Sequence, residues 1–114
     1  MKENYPIYEH WYKTLTWILK RVEKFPKNAR FSIASRIADL ALDTMEYIID
    51  SIYTKNRVPI LDSINLCLEK QRVFFRISFD SRYISQKQYE FISRQINITG
   101  QMVGGWRKQS YEKI

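Results

Sequence analysis

The amino-acid sequence predicts an all-α protein, an up-down-up-down four-helix bundle built as one domain over residues 1–114. Three observations carry this. Apolar residues recur at helical spacing along nearly the whole chain, and no segment alternates strictly enough for a strand. The three prolines and one Ser-x-x-Gln sequence punctuate that pattern into four stretches. The connections are only a few polar residues long, which forces consecutive helices to run antiparallel.

The first helix is expected from about Pro6, a good first-turn residue, to Phe25, with Pro26 stopping it. At about 100° per residue, Ile7, Tyr8, Trp11, Leu15, Ile18, Leu19, Val22 and Phe25 form its core arc. Lys13, Trp17, Lys20, Arg21 and Lys24 fall on the other side. The second helix is expected over about 28–54, with Asn28 as N-cap. Ala34, Ile37, Ala38, Ala41, Met45, Ile48, Ile49 and Ile52 make its core side, while Ile33, Leu40 and Tyr47 lie outside that arc. The third runs over about 58–80, with Pro59 in its first turn. Its main face is Ile60, Leu61, Ile64, Cys67, Leu68, Phe74 and Phe75, with Leu66, Val73 and Ile77 forming a second apolar face. The fourth runs over about 86–109, opened by a capping box of Ser85 and Gln88, and buries Phe91, Ile92, Ile96, Thr99, Met102, Val103 and Trp106.

Apolar surface beyond the needs of one core, at Ile33, Leu40, Tyr47, Leu66, Val73 and Ile77, suggests packing against further copies of the chain. Gly100 and Gly104 share a face that allows close approach of another helix, within or between subunits, or of a phosphate backbone. A helical glycine costs about 1 kcal/mol relative to alanine, so such an approach would compensate.

The charge pattern points to binding rather than catalysis. The formal net charge is +7, but residues 39–50 carry four acidic groups and no basic one. A basic total favours a polyanionic partner without bearing on the fold. Trp17 among Lys13, Lys20, Arg21 and Lys24 suits a base stacked above neutralised phosphates; the alternative is a solvated lysine face with Trp17 in a subunit contact. The basic side continues through Lys27 and Arg30, and Arg107 and Lys108 follow Trp106. The stripe Asp39, Asp43, Glu46 and Asp50 reads as a solvated acidic face or a docking surface for a basic partner.

A di-metal bundle site needs Glu-x-x-His pairs on facing helices, and His10 is the sole histidine. Cys67 sits among apolar helical neighbours and reads as an inert buried thiol. No nucleophile-base pair, P-loop or dinucleotide fingerprint is present, so no enzymatic activity, metal or cofactor is expected. The longest uncharged stretch, Gln95 to Trp106, is twelve residues and too polar to cross a bilayer, and no signal-peptide core is evident. A cytoplasmic location is expected.

Two segments carry a resemblance. Phe25-Pro26-Lys27-Asn28-Ala29-Arg30 between the first two helices, and Gly104-Gly105-Trp106-Arg107-Lys108 near the end, are similar to signature segments of the accessory variability determinant (Avd) family of diversity-generating retroelements. The Ile84-Ser85-Gln86-Lys87-Gln88-Tyr89 entry into the fourth helix matches as well. Avd proteins belong to a wider group of small four-helix bundles that includes those encoded in 23S rRNA intervening sequences. The resemblance implies a homopentameric barrel that binds nucleic acid and the retroelement reverse transcriptase, supporting mutagenic copying of a template RNA. It makes Lys27, Arg30, Arg107 and Lys108 candidates for contacts with RNA or polymerase. The competing expectation is a protein-interaction module of the intervening-sequence type with no retroelement role.

Overall fold

The computed structural model describes the backbone of residues 5–112 and the side chains of residues 5–110, and is all-helical over that span. Four helices are present: α1 (Pro6–Val22), α2 (Ser35–Tyr53), α3 (Val58–Asp80) and α4 (Gln86–Glu112). Each packs on its neighbours in the chain, and α1 also packs on α4, which closes the bundle into a rod of 47 × 22 × 21 Å. Among the described residues, no helix is long and apolar enough to cross a membrane.

Local chemistry sets the helix ends. Tyr5 is extended ahead of Pro6 at the start of α1. The helix ends at Val22, three residues before the expected Phe25, because the chain tightens ahead of Pro26: Lys24 N–H bonds Arg21 O and Phe25 N–H bonds Val22 O. Phe25 still reaches the core, 5.5 Å from the Tyr83 ring. Asn28 is not an N-cap, since it lies inside a 3-10 turn, Lys27–Ala29, followed by a π-helical turn, Arg30–Ala34. Past α3, Arg82 adopts a left-handed φ of 64°, while Tyr83 N–H bonds Ser78 O and Arg82 N–H bonds Phe79 O. That pattern is a Schellman ending. Ser85 and Gln88 then exchange both bonds of a capping box, at 2.8 and 3.2 Å.

The core is a stack of branched aliphatic and aromatic side chains contributed by all four helices. Trp11, Ile18, Ile37, Ile48, Leu61, Ile64, Leu68, Ile92 and Ile96 are entirely buried. Among the described residues, two fully buried side chains make polar links across the core. Trp11 Nε1–H donates to Ala41 O at 3.0 Å, tying α1 to α2. Gln71 Nε2 donates to Thr44 Oγ1 at 3.0 Å, tying α3 to α2. A buried amide finds its partner in only one helix register, so this pair favours one alignment of α2 and α3. Cys67 lies beside this link, and burial pushes its thiol above the usual range.

Candidate nucleic-acid interface

The α1–α2 corner carries the densest run of free cations. From Lys24 to Arg36 the chain has four basic residues, Lys24, Lys27, Arg30 and Arg36, and no carboxylate. All four are exposed, and none is in an ion pair among the described residues. Lys13 and Lys20, also exposed, extend the basic surface back along α1. Because the helices alternate in direction, the α3–α4 corner lies at the same end of the rod, as the Phe25–Tyr83 contact requires. It adds exposed Arg82 and Lys87.

Trp17 does not stand free on this surface. Its ring is half-buried with its centroid 5.0 Å from that of Phe91, and the Arg21 guanidinium lies 5.7 Å above it. The indole fills the seam between α1 and α4. A helix in a closed bundle touches two neighbours, so its apolar surface is wider than a single arc, and Trp17 belongs to the second seam. Arg21 is spent as well: half-buried on the indole, its Nε has no hydrogen-bond partner among the described residues. Trp17→Ala should therefore lower stability by roughly 1–3 kcal/mol, through lost area and the lost aromatic pair. Thermal unfolding followed by circular dichroism measures this, and an unchanged melting temperature would remove the indole from the seam.

The opposite end of the rod holds the second signature segment. Trp106 is not a core anchor but a half-buried cover. Its ring lies 5.2 Å from that of Tyr5, and the Arg57 guanidinium stands 5.1 Å from its centroid. Tyr5, Ile7, Met102, Gly105 and Trp106 line a cavity of about 380 Å³ there. Arg107 is committed to Asp62 on α3 through bonds of 2.7 and 3.4 Å, and this guanidinium holds the Asp62 carboxyl below the ordinary carboxylate range. Lys108 is exposed. Within one subunit, Lys27 and Arg30 thus cannot share a patch with Arg107 and Lys108.

The residues expected at subunit contacts separate into two groups. Leu66, Val73 and Ile77 are 56, 51 and 44% exposed and follow one face of α3. Ile33, Leu40 and Tyr47 are half-buried, and Ile33 and Tyr47 pack against the bundle's own core. Gly100 serves a contact inside the subunit: a Cβ there would meet Arg72 Nη2 at 3.4 Å and Leu68 Cδ1 at 4.0 Å. Gly104 faces open space. The stripe Asp39, Asp43, Glu46 and Asp50 is exposed throughout. Among the described residues, no three His, Cys, Asp or Glu side chains converge as a metal site.

One residue at the basic corner was overlooked by the helical-wheel reading. Phe31 is 94% exposed, the most exposed large apolar side chain described. Its signal was a broken spacing. Buried positions at Ala34, Ile37, Ala41, Thr44 and Ile48 alternate by three and four, and the same rhythm carried backwards would bury Arg30. The π-helical turn takes up one extra residue, so Ala29 is buried instead, at 2% exposure, and Arg30 and Phe31 stay outside.

A family model described as bAvd-like matches residues 6–110, a span containing both signature segments and all four helices except the last two residues of α4. The chain belongs to the bAvd-like family. Among curated proteins, none matches it. In this bAvd-like chain the first signature segment forms the α1–α2 corner, with Phe25 as its buried foot and Lys27 and Arg30 as its exposed cations. The second forms the Trp106 cover and the Arg107–Asp62 clamp.

Proposed function

We propose that this bAvd-like protein is a non-catalytic accessory of a diversity-generating retroelement. It binds template RNA and the retroelement's reverse transcriptase, supporting mutagenic copying in the cytoplasm. The observation that carries the reading is the carboxylate-free run from Lys24 to Arg36, held at the corner built by the family's first signature segment. Four exposed cations with no ion-pair partner among the described residues are available to neutralise phosphates, and each one that does so steepens the salt dependence of affinity. The chemistry of copying belongs to the polymerase, so this chain supplies binding alone.

The protein acts as a homo-oligomer, a pentameric barrel in this reading. The apolar face Leu66, Val73 and Ile77 on α3 supports self-association, since a monomer leaves all three in water. Ile33, Leu40 and Tyr47 contribute only the edges that the bundle leaves uncovered.

Binding to a structured RNA and to a DNA duplex across a salt series tests the proposal. Tight binding to RNA at low salt, with log affinity falling linearly in log salt, is the expected result. Absence of RNA binding at low salt would sink it and leave a protein-only interaction module. Light scattering on the same sample gives the subunit number, and co-purification with a retroelement reverse transcriptase tests the second partner.

A further inference from the structure

A phenylalanine in water is an expense that a helix normally avoids by rotating it inward. Here the register break does the opposite. The π-helical turn Arg30–Ala34 exchanges Arg30 for Ala29 in the core and leaves Phe31 projecting at 94% exposure. Lys27 and Arg30, four and one positions before Phe31 in the chain, are exposed as well, both without an ion-pair partner among the described residues. Trp17, the aromatic that the sequence offered for stacking, is occupied by Phe91 and Arg21. Among the described residues, Phe31 is the aromatic ring that this corner leaves exposed, in a segment whose neighbouring cations are exposed too.

We infer that Phe31 is a stacking platform for an unpaired base of single-stranded RNA, with Lys27 and Arg30 holding neighbouring phosphates. The inference rests on the RNA-binding reading above and adds to it the residue and the kind of RNA. An aromatic face beside a cationic track is the combination that single strands select, because every base has a π-face and stacking tolerates any sequence. A base inside a duplex is already stacked on its neighbours and gains nothing from the ring. The charge pattern argues against a second copy as occupant. The buried centre of a protein interface is depleted of charge, and covering Phe31 would strip water from two cations that have no ion-pair partner among the described residues.

The test uses the full chain, a single-stranded RNA 15-mer, its duplex form and the DNA strand of the same sequence. Phe31→Ala and Phe31→Leu should each weaken single-strand RNA binding, by between about fivefold and a hundredfold, with an unchanged salt slope. Phe31→Trp should retain it, and duplex affinity should not move. The side chain is exposed, so helicity and melting temperature stay at wild-type values and a folding defect is not a confounding outcome. Wild-type affinity in Phe31→Leu would overturn the stacking role, as would an equal loss on duplex or an effect confined to DNA. A changed subunit number by light scattering would overturn it in favour of a second copy. If the wild-type protein binds RNA with a steep salt slope and Phe31→Ala binds equally well, this inference alone fails. If the wild-type protein binds no RNA, the RNA-binding reading fails and takes this inference with it.

Discussion

Replacing Trp11 with alanine is expected to destabilise the bundle by roughly 3–5 kcal/mol. The indole is wholly buried near the middle of the core, and its Nε1–H bonds Ala41 O across the α1–α2 contact. Truncation removes its buried area, leaves a cavity that rigid helices cannot close, and deletes the cross-helix bond. The whole stability of a folded domain is about 5–15 kcal/mol, so this loss is a large fraction of it. The melting temperature should therefore drop by many degrees. Trp11→Phe separates the contributions: it keeps an apolar ring and loses the bond, so it should cost much less than alanine. A shift of only one or two degrees for Trp11→Ala would mean that α1 is not held as described.

The second large effect concerns binding. Alanine at Lys20, Lys24, Lys27 and Arg30 together should weaken single-stranded RNA binding by about 600-fold at 0.1 M salt. On single strands each phosphate contact contributes about 0.7 to the slope of log affinity against log salt, which is about fivefold per contact at that concentration. The slope itself should fall by about 3. All four side chains are exposed, so the melting temperature should be nearly unchanged. Affinity and slope that both remain within error of wild type would remove the α1–α2 corner as the phosphate surface. The Phe31 variants differ in kind, since they should lower affinity at constant slope.

The two tryptophans show where sequence reasoning reaches its limit. Trp17 looked like a free aromatic because a helical wheel compares a helix with one neighbour, whereas α1 meets both α2 and α4. Its partner Phe91 is 74 residues away in sequence, and the spacing within α1 carries no trace of it. Trp106 looked like a core residue for the converse reason: it falls on the core arc, but so near the end of the rod that it only covers the edge of the core, flanked by Tyr5 and Arg57. Arg107 appeared free until α3 brought Asp62 to it from 45 residues away. Phe31 was legible in part, since the three-and-four rhythm of α2 would have buried Arg30 and so required a break.

The sequence by itself determined the helical class, the four segments and most of their core faces. Those depend on local matters: proline geometry at Pro6, Pro26 and Pro59, the Ser85–Gln88 capping box, and apolar spacing within a few turns. It also determined the charge of the α1–α2 corner, because that run is contiguous. Only the tertiary structure decided which aromatic stays open and which cations stay free. Both depend on what lies across a seam between helices, and a side chain's availability is set by neighbours that the chain brings from far away.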